Sequence, residues 1–191
     1  MKTKYLIITI IVLLSTSVFG QRYITKTGHI WFHSEAPLET IEAHNSQVNA
    51  AMDIKTGAIV FKVLMKSFIF EKALMQEHFN ENYIESTFYP NATFQGKITN
   101  FEHIDFSTPG TYNAEITGEL TIHNVTNKVM ATGTLEVTPE IIHGKSKFSI
   151  QVADYNIRIP DVVAGKIAEE VDIYIDIQLK ELNKESLKST N

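Results

Sequence analysis

Strict alternation of apolar and polar residues is the dominant pattern along this chain. The clearest run covers residues 171–179, where Val171, Ile173, Ile175, Ile177 and Leu179 stand between polar neighbours. Two similar runs cover residues 114–122 and 129–137. A period of two is the signature of a β-strand with one buried face, so each run predicts a strand.

Weaker alternation extends this prediction to about eight strands, with further runs at residues 28–34, 48–54, 59–65, 92–98 and 148–152. Short turns separate several of the runs. Lys55-Thr56-Gly57 offers a glycine for positive φ, and residues 124–127 begin with an asparagine, which tolerates the left-handed region. Connections this short join antiparallel strands, so we expect an antiparallel sheet.

Two segments depart from the alternation. Residues 71–83 contain no glycine or proline, and Met75, Phe79 and Tyr83 recur at helical spacing, which predicts a helix across one end of the sheet. Residues 162–170 favour a second short helix, which Gly165 weakens. The fold class is therefore all-β: an eight-stranded antiparallel barrel with a capping helix, since closure removes exposed sheet edges. A two-sheet sandwich fits the same pattern.

The N-terminus has the layout of a secretory signal peptide. Lys2 and Lys4 precede an apolar stretch over residues 6–14, and small residues lead to a predicted cleavage after Gly20. The apolar stretch is shorter than the ~20 residues of a membrane span, although an uncleaved anchor is the alternative. We expect a leader at 1–20, one domain at 21–182 and a disordered polar tail at 183–191 in a periplasmic or secreted protein.

Charge and cysteine content narrow the classes of function. The chain has 17 basic and 22 acidic residues, and removal of Lys2 and Lys4 leaves 15 against 22, a formal charge of −7. An acidic domain is a poor nucleic-acid binder, and attraction to anionic lipid surfaces is disfavoured too. The chain has no cysteine, so the fold stands without disulfides. After leader removal we expect no integral membrane segment.

Seven histidines raise the question of metal binding or catalysis. His29 and His33 lie ~13 Å apart in a regular strand, whereas each zinc ligand lies ~2 Å from the metal. His78 and Glu81 are interpreted as a solvated helix face, and His123 as a surface residue beside a turn. No nucleophile motif or phosphate-binding glycine loop is present. We therefore predict no catalytic residue, no metal and no cofactor, hence no enzyme.

Small residues recur on the inward faces of the predicted strands, among them Ala114, Gly118, Ala131 and Gly133. They leave volume inside the barrel, because eight strands either enclose a packed core or hold one small ligand. Facing side chains such as Phe61, Met65, Phe94, Phe148 and Trp31 can fill it, or an apolar chain can. Ten buried methylenes provide ~8 kcal/mol before ordering costs. The pattern fits both interpretations.

Three segments resemble the YceI-like family. The helix leads into Tyr89-Pro90-Asn91-Ala92-Thr93-Phe94, similar to that family's Tyr-Pro-x-Ala-x-Phe strand start. The hairpin is similar in Gly118-Glu119-Leu120-Thr121-Ile122-His123-Asn124-Val125-Thr126-Asn127, with Asn124 at the place of a turn glycine. Residues 148–150 followed by 154–157 look like the family's penultimate strand. The resemblance spans nearly the whole mature chain.

The resemblance implies a lipocalin-like, periplasmic barrel that binds a polyisoprenoid-type lipid in an apolar tunnel. We accordingly expect a binding protein that sequesters or carries an isoprenoid or acyl-chain lipid. The alternative is a structural or stress-related envelope protein with a filled core and a protein partner, and a homodimer is compatible with either. Gly118→Phe is expected to abolish lipid uptake. The residues expected to line the cavity or close its mouth are Phe61, Val63, Met65, Leu74, Met75, Phe79, Phe94, Gly118, Leu120, Phe148 and Ile150.

Overall fold

Eight long strands form one closed antiparallel barrel, which confirms the predicted fold class. A computed structural model describes residues 22–163 and 165–182, so the expected leader and tail lie outside the described residues. The sheet order is β1-β9-β8-β7-β6-β5-β3-β2, and pairing of β1 with β2 closes it. The two-residue β4 adds to β2. The strands are β1 (Arg22–Glu35), β2 (Thr40–Asp53), β3 (Ala58–Leu64), β4 (Ile69–Phe70), β5 (Asn91–Ile98), β6 (Gly110–Ile122), β7 (Val125–Val137), β8 (Ile141–Gln151) and β9 (Glu170–Glu181).

The turns follow the chemistry of their residues. Gly57 has φ of +71° between β2 and β3, as the sequence predicted for this position. The turn between β6 and β7 is tighter than expected, because β7 already begins at Val125. His123 and Asn124 alone form it, with φ of 50° and 60°. Positive φ at both central residues is the geometry that matches the twist of a two-residue hairpin.

The predicted helix is present over a slightly shorter range. Helix α1 covers Ala73–His78 and continues as a π-helical turn over Phe79–Tyr83. The second short helix expected over residues 162–170 is absent from the described part of that range, where only a 3₁₀ turn, Asp161–Val163, is found. The Gly165 carbonyl instead accepts a hydrogen bond from the Leu38 amide at 2.9 Å. Low helix propensity and this external partner favour the irregular connection.

The interior divides into two halves at opposite ends of the barrel. At the end that carries the β2–β3 turn, buried side chains meet in a packed core that includes Met52, Ile142 and Leu179. At the other end, the buried side chains form a shell that includes Val63, Leu120 and Ile122, with α1 across it. We call these the closed end and the open end. The packed-core interpretation of the inward face therefore describes the closed end, and the cavity interpretation describes the open end.

Truncation of Met52 is expected to destabilise the fold. Its side chain is 1% exposed in the closed end, so Met52→Ala should lower the free energy of unfolding by about 2–5 kcal/mol. Met130→Ala is the matched control, because Met130 is 84% exposed and its loss should change stability by less than about 0.5 kcal/mol. Urea denaturation measures both. Equal stability of the two variants would show that the closed end is not packed.

Candidate functional site

An apolar cavity of about 540 Å³ fills the open end of the barrel and reaches the closed-end side chains Ile59, Ala114, Leu135 and Ile177. Its size lies within the range of about 300–1,000 Å³ that is usual for small-molecule sites. The structure brings ten of the eleven predicted residues together around it; that they bind a ligand stays a prediction. These ten are Phe61, Val63, Met65, Leu74, Met75, Phe79, Phe94, Leu120, Phe148 and Ile150.

Gly118 is the predicted residue that does not line the cavity. It pairs with Gly96 across β5 and β6, and the ring of Phe94 lies over both glycines. A Cβ atom at Gly118 would lie 2.5 Å from Phe94 Cζ and 2.5 Å from the Gln95 carbonyl oxygen. The volume left by Gly118 is thus filled by a neighbouring ring. A bulky side chain there would disturb packing, so Gly118→Phe does not test ligand uptake.

Other small inward residues do border the cavity, as the pattern of the strands suggested. Ala114, Ala131 and Gly133 all line it, together with Ala92 and Gly144. Large side chains at Ala92, Ala114 and Ala131 would occupy the space that is now open, whereas a Cβ atom at Gly133 would lie 2.4 Å from the Lys145 carbonyl oxygen. The small-residue argument therefore holds for these alanines and fails at Gly133 and at the Gly96–Gly118 pair. Sequence reasoning also missed a set of large wall residues: Ile30, Phe32, Ile41, Phe68, Phe70, Val129, Ile159, Ile167, Ile173 and Ile175.

An aromatic cluster holds α1 against the mouth of the cavity. The ring of Phe79 lies 5.6 Å from that of Phe32, 5.7 Å from that of Phe68 and 5.0 Å from that of Phe70. Aromatic pairs at such separations attract beyond the burial of their surface. The signal for Phe68 and Phe70 was their spacing of two just before the predicted helix. Their contacts fix the side of α1 that faces the cavity.

Charged groups gather at the mouth. Lys72, which precedes α1, donates a hydrogen bond from Nζ to Glu39 Oε1 at 2.7 Å. This bond lowers the pKa of the Glu39 carboxyl and raises that of the Lys72 ammonium. The pair connects the start of α1 to the β1–β2 loop. His78 and Lys166 also border the mouth, whereas its deeper wall is mainly apolar.

The backbone pairing between β7 and β8 ends beside the cavity. Their pairing runs from Thr132 opposite Lys147 to Val137 opposite Ile142. Beyond it, β7 continues along β6 and β8 continues along β9. Val129 lies in this stretch of β7 and is only half-buried, although its side chain points inward. Beyond the pairing, Asn127 of β7 donates a hydrogen bond from Nδ2 to the Asp154 carbonyl oxygen at 2.7 Å, so the turn that follows β8 lies against β7 there.

His123 is part of a hydrogen-bonded group and not a simple surface residue as predicted. Its side chain is 12% exposed, and Nε2 lies 2.9 Å from Glu85 Oε2. Its Nδ1 lies 3.2 Å from the Tyr155 carbonyl oxygen, and the ring of Tyr89 packs on it at 4.3 Å. Three segments that carry the family resemblance thus meet at one place. They fix the end of the helical segment against the β6–β7 hairpin.

Neither a metal cluster nor a membrane-spanning helix is found in the part of the chain that the structure describes. Across residues 22–163 and 165–182, no three or more histidine, cysteine, aspartate or glutamate side chains are grouped to hold an ion. Over the same residues, none of the helices has the length and apolar character needed to cross a bilayer.

Comparison with known proteins places this geometry in a family. The model of the YceI-like domain matches residues 24–179. No curated protein matches the chain in sequence. A polyisoprenoid binding domain from Saccharophagus degradans, implicated in plant cell wall breakdown, superposes with a TM-score of 0.73 at 10% identity, covering 86% of this chain and 100% of that one.

Two further solved structures share the fold. BcnA of Burkholderia cenocepacia gives a TM-score of 0.66 at 18% identity over 80% of this chain and 95% of its own. The YCEI protein of Campylobacter jejuni gives 0.54 at 13% identity over 69% and 78%. At such identities the likeness establishes the barrel architecture alone.

Substitution of Gly118 should reduce stability. Gly118→Ala places a Cβ against Phe94 and backbone, and such overpacking is expected to cost about 1–3 kcal/mol. Gly110→Ala is the control, since its new Cβ would meet nothing closer than 3.6 Å. Thermal and urea denaturation compare the two. A Gly118→Ala variant as stable as Gly110→Ala would contradict the placement of the Phe94 ring.

Proposed function

The chain belongs to the YceI-like family, and we propose from this and from its cavity that it binds the apolar chain of an isoprenoid or acyl lipid. The observation that carries the proposal is the open volume of about 540 Å³ inside a wall of mainly apolar side chains. One water molecule takes about 30 Å³ of liquid and a methylene group is of similar size, so the cavity holds on the order of 18 carbon atoms.

The free energy for binding comes from burial of the chain. Each buried methylene contributes ~0.8 kcal/mol, so ten of them supply ~8 kcal/mol before the costs of association and chain ordering. The walls that make these contacts are the rings of Phe61, Phe94 and Phe148 and the branched side chains of Val63 and Ile150. The charged groups at the mouth suit a polar headgroup that stays in contact with water.

Binding, rather than chemistry, is the role that the family and the cavity support. The family fold is that of binding proteins. At the mouth of the cavity, Lys72 and Glu39 already pair with each other. We propose that the protein sequesters or carries its lipid without catalysis. Its export, with loss of residues 1–20, remains part of the proposal and rests on the leader pattern.

The second candidate, an envelope protein with a filled core and a protein partner, draws support from the closed end. Met52, Ile142 and Leu179 pack there with almost no exposure. It requires that the open end bind nothing. The two proposals therefore differ in one measurable quantity, the uptake of an apolar chain by the intact protein.

A pair of neighbouring residues on opposite faces of β7 provides the test. Ala131 lines the cavity, so Ala131→Trp should fill it and weaken uptake of geranylgeraniol, a 20-carbon isoprenoid alcohol, at least tenfold. Met130 points outward, so Met130→Trp should bind like the wild type. Native mass spectrometry measures the adduct, and stearic acid as a second probe separates isoprenoid from acyl preference.

Denaturation curves of both tryptophan variants establish that they are folded. Absence of any adduct with either probe on the wild type would favour the filled-core protein. Equal uptake by Ala131→Trp and Met130→Trp would place the ligand outside this cavity and overturn the proposed site.

A further inference from the structure

Two histidines meet on the outer wall of the barrel, away from the cavity. His29 lies on β1 and His44 on β2, where the register places Trp31 opposite His44. His29 is thus the diagonal neighbour of His44, a position within reach for long side chains. His29 Nε2 and His44 Nδ1 lie 3.1 Å apart. Both side chains reach the surface, and that of His44 is 46% exposed.

The two facing nitrogens form one hydrogen bond, in which His29 donates its Nε2–H to His44 Nδ1. A metal cation can take the place of this hydrogen when the His29 proton moves to its Nδ1, because Nε2 then has a lone pair. Imidazole nitrogens bind zinc at about 2.0–2.1 Å, and two such bonds to nitrogens 3.1 Å apart enclose an angle of about 100°. That angle lies between square-planar and tetrahedral values. Each lone pair must then lie about 40° off the line between the two nitrogens, so both rings turn from the hydrogen-bonded geometry when they bind an ion. His44 is exposed and His29 is partly exposed, which leaves room for this rotation.

Glu42 prepares His44 for this role. Its Oε1 lies 2.8 Å from His44 Nε2, so Nε2 carries the proton and donates to the carboxylate. The tautomer that results directs the Nδ1 lone pair at His29, from which it accepts the hydrogen bond. A carboxylate on the far nitrogen is the usual second partner of a metal-binding histidine, which it orients and makes more basic. The other Glu42 oxygen lies 3.5 Å from His33 Nδ1.

We propose that His29 and His44 form a surface site for a divalent transition-metal ion, with Glu42 as the positioning residue. Imidazole ligands suit copper, nickel and zinc, and affinity for a given set of ligands is highest for Cu²⁺. With two protein ligands, water molecules fill the remaining positions of the ion. The site lies on the outer face and requires no lipid, so its outcome is independent of the proposed function.

Trp31 makes the site directly observable. It is the single tryptophan of the chain. Its ring lies 4.9 Å from the His29 ring and 6.2 Å from the His44 ring. A paramagnetic Cu²⁺ ion bound between the histidines should quench its fluorescence. Titration of the tag-free mature chain with Cu²⁺ is therefore expected to give saturable quenching with one ion per chain, and electron paramagnetic resonance should show nitrogen ligands.

Substitutions identify the ligands. His29→Ala and His44→Ala should each weaken Cu²⁺ binding at least tenfold, and Glu42→Gln should weaken it about tenfold, because a neutral amide oxygen replaces the charged acceptor of the His44 N–H. His103→Ala is the control, because His103 lies in a 3₁₀ turn near the closed end and should leave the titration unchanged. Circular dichroism confirms that each variant is folded.

Two results would overturn the site. One is a wild-type chain whose tryptophan fluorescence does not respond to stoichiometric Cu²⁺. The other is quenching that persists in both His29→Ala and His44→Ala, or that depends on His33 or His103 instead.

Discussion

Closure of the sheet, in which β1 pairs with both β2 and β9, is the constraint on which the rest of the structure depends. A closed barrel of eight strands has a fixed interior, and alternate side chains of every strand point into it. Unlike the two sheets of a sandwich, its walls cannot move together to remove unfilled space. At the closed end, Met52, Ile142 and Leu179 fill the interior. At the open end, the side chains cover the wall and leave the centre free.

The open end keeps its shape because α1 is held at two places. Phe79 packs among the rings of Phe32, Phe68 and Phe70. Beyond the helix, Glu85 takes an unusual φ of 49°, and its carboxylate lies 2.9 Å from His123. Positive φ outside glycine carries strain that the surroundings must hold. The segments that carry the family resemblance therefore act at this junction and position the helix, even though His123 does not line the cavity.

The sequence predicted the features that depend on local periodicity. Alternation over residues 171–179 correctly identified the inward face of β9, and helical spacing over residues 71–83 identified α1. Features that depend on register between strands were not predictable. The ring of Phe94 covers Gly118 because Gly118 pairs with Gly96 on the neighbouring strand. A single sequence does not show which residues of two strands pair.

The contacts of the histidines also depend on the register between strands, which the sequence does not show. His29 and His33 were compared as a pair because they share a strand, whereas the register places His44 beside His29. Trp31, considered as a filler of the core, instead stacks outside on Tyr174 with ring centroids 4.9 Å apart. An alternating pattern shows that neighbouring residues face opposite sides of the sheet, but it does not show which set faces inward. In β1 the assignment is harder still, because bulges near Gly28 shift its register against β2.

The absence of cysteine explains why one end of the barrel interior is tightly packed while the other contains a cavity. A cavity weakens a fold, because side chains around it lose contacts that a packed neighbour would provide. A chain without disulfides must recover that free energy by packing elsewhere. The closed end does so, with Met52, Ile142 and Leu179 each at most 2% exposed. The closed end therefore stabilises the barrel closure that gives the open end its shape. The cavity can therefore persist at the open end while the barrel stays folded.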